Sequence, residues 1–128
     1  MDTIVISQYK RGDIFDPKCQ SRETLNLLSS KWTILIAYAL QSGTLRNAEL
    51  RSTLPGITQK VLTTTLRRME QNGLVSREIK PVIPPWVEYS LTSLGVSLLP
   101  VLDALTEWSE LHYQEVLDAQ VLAPSNLI

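Results

Sequence analysis

Residues 46–91, RNAELRSTLPGITQKVLTTTLRRMEQNGLVSREIKPVIPPWVEYSL, hold the reading that decides the fold. Arg46 to Leu54 has the length of a two-turn helix with Ala48 and Leu50 turned inward, and Pro55-Gly56 closes it with a strong turn signal. Thr58 stands as an N-cap for a longer helix over Gln59–Asn72, and Gly73 occupies the C′ position, where a left-handed backbone carries no side-chain penalty. Short helix, tight turn and longer helix together form a helix-turn-helix candidate. Leu74 to Lys80 then reads as a half-buried strand, with Val75 and Ile79 flanking Arg77, and Trp86 to Leu91 resumes with strand formers. Pro81, Pro84 and Pro85 lie between them, so the two strands form a hairpin with a proline-stiffened tip.

At about 100° per residue, Leu62, Leu66 and Met69 of the longer helix fall on one stripe with Gly73, which faces the core. Lys60, Thr63, Thr64, Arg67 and Gln71 take the opposite side, with Thr58 and Gln59 in the first turn. An amide, hydroxyls and cations without a carboxylate suit nucleic acid. Arginine and lysine donate to guanine, glutamine bonds adenine at two points, and threonine or lysine holds phosphates. Arg77 and Lys80, just before the hairpin tip, are placed for backbone phosphates or the neighbouring minor groove. A solvated helix face with no partner would read the same way on this pattern alone, and a winged module that binds protein is the competing class.

Outside this unit, Arg22–Leu28 is a short helix candidate capped by Ser21. Ser30 caps a second helix from Lys31 to about Gln41, whose Trp32, Leu35, Ile36, Ala39 and Leu40 are expected in the core and which Gly43 ends. After the hairpin, Thr92 caps a final helix reaching roughly Ala119. Pro100 is expected to kink or restart it. Leu94, Leu98, Val101, Leu105, Trp108 and His112 recur along it every three or four residues, and Leu99, Leu102 and Leu111 widen the apolar face beyond the needs of one small core. A second copy of the chain is the expected cover, with Leu98, Val101, Leu105, Trp108 and His112 at the seam. The resulting division is an N-terminal arm over 1–20, a DNA-binding domain over 21–92, a dimerisation helix over 93–119 and a flexible tail over 120–128.

Composition narrows the function classes. The 128 residues suit one domain, and a 44% hydrophobic, 20% charged chain folds unaided. One cysteine, Cys19, and one histidine, His112, are too few for a zinc site built from such ligands, so no metal or cofactor is expected. No nucleophile–base–acid set or phosphate-cradling glycine loop marks an enzyme. No signal peptide and no run of about 18 apolar residues is present, so the expected compartment is the cytoplasm. The net charge of −1 hides a division: residues 1–80 hold all 12 Lys+Arg against seven acids, or +5, whereas 81–128 hold six acids and no cation, or −6. Such polarity fits one basic working surface held apart from an acidic one.

LNLLSSKWTILIAYAL, followed by the EL–LPGI–Q–L–LR–E–GLV series and the VEYSLT segment, resembles the HxlR-type winged-helix regulators of bacteria over about residues 19–110. The resemblance implies an α+β, mainly α, winged helix-turn-helix fold. It also implies a homodimer on an inverted-repeat DNA operator, with the helix from Gln59 in the major groove and the hairpin as wing. Repression by covering a promoter follows, with activation open as the alternative. Two positions depart from the family pattern. Asn47 replaces the usual aromatic of the RF-x-EL segment, and Trp86 stands where many members carry arginine, which leaves Lys80 as the better wing cation. Cys19 matches the cysteine that several members use to sense electrophiles, aldehydes or oxidants, and Lys18, Arg22 and the following helix start favour a thiolate there. Gln20 departs from the frequent Cys-Pro pair, and with no second cysteine any disulfide joins two subunits or a small thiol. A non-covalent small-molecule inducer is the other effector class.

Overall fold

A computed structural model describes residues 14–123, so most of the expected arm and the last five residues of the expected tail lie outside the described residues. The elements run α1 (Gln20–Leu28), α2 (Lys31–Leu40), β1 (Leu45–Arg46), α3 (Asn47–Thr53), α4 (Gln59–Gln71), β2 (Val75–Lys80), β3 (Trp86–Leu91) and α5 (Ser93–Leu122).

Local chemistry sets the ends of α4. The Thr58 hydroxyl accepts from the Val61 N–H at 3.1 Å, satisfying one of the helix's orphan donors. At the other end Gly73 has φ +75°, the Gly73 N–H donates to the Glu70 carbonyl at 3.0 Å, and the Leu74 N–H donates to the Met69 carbonyl at 2.9 Å. This pair of bonds is a Schellman closure, and it turns the chain straight into β2. Leu62, Leu66 and Met69 are fully buried, as their spacing predicts, and pack with Ile36 and Leu40 of α2, Leu50 of α3, Val75 of β2 and Leu102 of α5. Each such leucine contributes about 1.5–3 kcal/mol by leaving water, so the core orients α4 and leaves its other side free.

The sheet is antiparallel in the order β1-β3-β2, with Arg46 opposite Glu88 and Lys80 opposite Trp86. Strand β1 is absent from the sequence reading, because two residues carry no periodicity and exist as a strand only through β3. Along β2 only Val75 is buried, and strand residues alternate between the two faces of the sheet. Arg77 therefore shares a face with Val75 and Ile79, and the fully polar face of β2 is Ser76, Glu78 and Lys80.

Several expectations are corrected. Helix α1 starts at Gln20 with Cys19, and not Ser21, at the N-cap, and α3 starts at Asn47. Ala48 is exposed, since it lies two residues from buried Leu50 and hence on the opposite side of the helix. Leu35 is also exposed, because α2 is apolar on nearly every side and buries Thr33, Ile36, Ala37 and Leu40 instead. Helix α5 passes through Pro100 as one element and continues to Leu122, so residues 120–122 are helical. It is held on both sides of the proline: Gly95 is buried before it, and after it Leu102 is buried in the core and the Tyr38 hydroxyl lies 2.8 Å from that of Thr106.

Candidate nucleic-acid interface

With Leu62, Leu66 and Met69 turned into the core, α4 presents Lys60, Thr63, Thr64, Arg67 and Gln71 to solvent, and Thr58 and Gln59 stand exposed at its start. The Gln59 amide donates to the Thr63 hydroxyl at 3.0 Å, which fixes two of these side chains relative to each other. Thr58 acts as the helix cap. Lys60 and Arg67 enter no ion pair among the described residues, so their charge is directed outward. This face offers four or more polar groups on successive turns of a rigid helix, an arrangement of the kind that suits a major groove.

The hairpin stands beside it. Arg77 reaches back to Glu70 of α4, Nε to Oε2 at 3.4 Å, and so ties the wing to the helix. Half-buried Tyr89 is the cross-strand partner of Arg77. Burial raises its hydroxyl pKa, the positive charges of Arg77 and Arg67 oppose that rise, and Glu70 adds to it. Lys80 sits 3.1 Å from Glu78 and 3.9 Å from Glu88, and the Glu78 hydrogen bond is the main cause of its raised pKa. The wing cations expected from the sequence are thus present but are each matched by carboxylates. These pairs are partly exposed and individually weak.

Four residues of α3, Asn47, Ala48, Arg51 and Ser52, were missing from the sequence reading of the interface. Asn47, Ala48 and Arg51 join Gln59 and Ser52 around an open cleft of about 370 Å³, in front of the first turn of α4. An exposed arginine on a helix of seven residues is a weak signal in sequence; the cleft that it lines depends on the packing of α3 against α4.

Along α5, Val101, Leu105 and Trp108 are exposed, whereas Leu98 is half-buried against the chain's own core. The Trp108 ring stacks on His112 at 4.8 Å, and His112 Nδ1 lies 2.9 Å from the Trp108 carbonyl. Cys19 is partly exposed. Its N–H donates to the Asp16 carbonyl at 2.9 Å, and the Arg22 guanidinium donates to the Phe15 carbonyl at 3.3 Å. Among the described residues no group of His, Cys, Asp and Glu is arranged to hold a metal ion, and no helix is long and apolar enough to cross a membrane.

Residues 27–117 match the model of the HxlR-like helix-turn-helix family. The chain is 44% identical over 110 residues to the HTH-type transcriptional regulator YtfH of Escherichia coli, covering 86% of this chain and 87% of that protein. The solved structure of the transcriptional regulator YtfH from Salmonella typhimurium superposes with a TM-score of 0.79 at 41% identity, over 86% of this chain and 98% of that one. The reduced form of the redox regulator HypR superposes with a TM-score of 0.70 at 38% identity, over 79% of this chain and 99% of that one. An exposed polar helix beside a hairpin, on a fold and sequence shared over most of the chain, identifies it: the protein belongs to the HxlR-like helix-turn-helix family and is a transcriptional regulator with a winged helix-turn-helix domain.

Proposed function

We propose that the protein is a cytoplasmic repressor that binds an inverted-repeat operator as a homodimer, with α4 in the major groove. The observation that carries this reading is the exposed face of α4, where Lys60 and Arg67 have no carboxylate partner among the described residues and Gln59 is held against Thr63. Each dimer half reads one half-site with Gln59, Lys60, Thr63, Thr64, Arg67 and Gln71. Arg77 and Lys80 supply phosphate contacts once DNA displaces their weak carboxylate partners. Dimerisation is supported by Leu94, Val101, Leu105, Trp108 and Leu111, which stand 43–69% exposed along α5. A stripe of this kind on a single chain marks an interaction surface.

Binding of selected sequences from random DNA, followed by affinity measurement for the wild type and Arg67→Ala, tests the reading. Arg67→Ala is expected to weaken binding to the selected site by about 1–3 kcal/mol and to relax preference at one base pair per half-site. Equal affinities would remove Arg67 from base recognition. Failure to enrich any sequence would overturn the operator reading.

Regulation by an electrophile, aldehyde or oxidant at Cys19 is the accompanying proposal. It is supported by the partial exposure of Cys19 at the start of α1 and by the redox regulator HypR sharing this fold. Oxidation gives a sulfenic acid that a second thiol attacks, releasing water and forming a disulfide. With one cysteine per chain that thiol comes from a second subunit or a small molecule.

A further inference from the structure

We propose that Arg46, seated on the indole of Trp86, is a DNA-phosphate contact that takes the place of a wing-borne arginine; this rests on the DNA-binding reading above. The pairing of β1 with β3 puts Arg46 opposite Glu88, so Trp86, two residues earlier, is its diagonal neighbour on the same face of the sheet. The guanidinium lies over the indole, 4.9 Å from the ring centroid. The indole is itself fixed, because its N–H donates to Glu88 Oε1 at 2.9 Å. A guanidinium held over a ring keeps its planar fork of N–H donors, and the terminal pair is able to donate two parallel bonds to a phosphate.

The charge is available. The Arg46 side chain is 49% exposed, only its Nε approaches a carboxylate, Glu49 at 3.4 Å, and its terminal nitrogens make no hydrogen bond among the described residues. Glu49 Oε1 is held at the same time by the Arg46 backbone N–H at 2.9 Å, so that carboxylate is shared. Lys80, the cation that the sequence favours for the wing, is instead flanked by both Glu78 and Glu88. Arg77 is hydrogen-bonded through its Nε to Glu70 of α4. The position of Arg46 also fits. Asn47, the next residue, lines the cleft with Arg51 and Gln59, so Arg46 bridges the start of α4 and the hairpin along one continuous surface, where a strand backbone leaving the groove for the wing must pass. Trp86 is then a positioning residue: it has no charge to give DNA, and it orders the arginine before binding.

The test needs no knowledge of the operator. Dissociation constants for a random-sequence duplex are measured across a potassium chloride series for the wild type, Arg46→Gln, Arg46→Lys, Trp86→Leu and the Arg46→Gln/Trp86→Leu pair, each checked for an unchanged circular dichroism spectrum. Arg46→Gln is expected to weaken binding and reduce the steepness of log K against log salt by about 0.9 per bound protomer, the loss of one phosphate contact. Arg46→Lys is expected to retain the slope. Trp86→Leu is expected to weaken binding in the wild type but not in Arg46→Gln, because the ring acts through the arginine. A wild-type slope with no change in Arg46→Gln would overturn the proposal and leave the operator reading standing. Loss of slope in Arg46→Lys as well, or additive losses in the pair, would assign Arg46 to the fold alone. Duplex binding by the wild type that is absent or insensitive to salt would overturn both readings.

Discussion

Gly95 joins the wing to the long helix through a contact that admits no side chain, and Gly95→Ala is predicted to destabilise the protein. A Cβ at this position would lie 2.2 Å from the Leu74 carbonyl oxygen and 3.0 Å from Leu91 Cδ2. The oxygen is backbone and is already committed, accepting the Thr92 N–H at 3.0 Å. Thr92 in turn donates its hydroxyl to the Gly73 carbonyl and accepts the Gly95 N–H at 3.1 Å. Relief of the clash requires a displacement on the order of 1 Å at a close-packed junction, which costs about 1–3 kcal/mol. Loss of one junction hydrogen bond adds about 1 kcal/mol. Replacing a helical glycine by alanine returns about 1 kcal/mol through backbone entropy. The net loss is about 1–3 kcal/mol, read from urea unfolding at one fixed protein concentration so that association does not move the midpoint. An unchanged or raised midpoint would show that α5 has room to move away from Leu74, and would refute the close approach.

Three further outcomes follow from particular side chains. The Thr33 hydroxyl is buried without a hydrogen-bond partner among the described residues, so Thr33→Val is expected to stabilise by about 1–2 kcal/mol in the same unfolding experiment; a loss of stability would reveal a partner. Trp108→Glu puts a charge in the proposed dimer seam and is expected to yield monomers by analytical ultracentrifugation while the melting curve of the monomer remains cooperative; an unchanged dimer would place the seam elsewhere. Diamide or an aldehyde is expected to change operator binding by the wild type and not by Cys19→Ser, and equal responses would end the sensing proposal.

Local signals made α4 and the hairpin legible. A hydroxyl cap at Thr58, a leucine stripe at 62 and 66, and a glycine at 73 each act within one helical turn, and each behaves in the structure as its chemistry dictates. What escaped reading depends on partners distant in sequence. Strand β1 exists because Leu45 and Arg46 pair with Tyr89 and Glu88. Leu35 was misplaced because a helix that is apolar on all sides does not reveal its buried side, and the outcome was fixed by which neighbours pack there. The candidate interface shows the same division. Its helical half could be read from a wheel, whereas the stack of Arg46 on Trp86 follows from a strand register that no periodicity announces. Arg77 shows the same dependence: residues 75, 77 and 79 share one strand face, and the pairing of exposed Arg77 with Glu70 of α4 follows from how the hairpin packs beside that helix.

The charge division along the chain acquires a spatial meaning from the fold. Five of the six acids beyond residue 80, Asp103, Glu107, Glu110, Glu115 and Asp118, lie on α5, which has no lysine or arginine. None of them forms an ion pair among the described residues. The sixth, Glu88, is in the wing, between Lys80 and the Trp86 indole. Helix α5 therefore carries five negative charges that no cation on it offsets, while α4 and the α3 cleft present Lys60, Arg67 and Arg51. Over the roughly 8–10 Å that salt allows such fields to reach, a duplex is attracted to the second surface and repelled by the first. On the proposed reading the acidic helix excludes wrong approaches, and its apolar stripe is the seam offered to a second copy of the chain. Had the two charge sets been interspersed, the net charge of −1 would have left neither surface distinct.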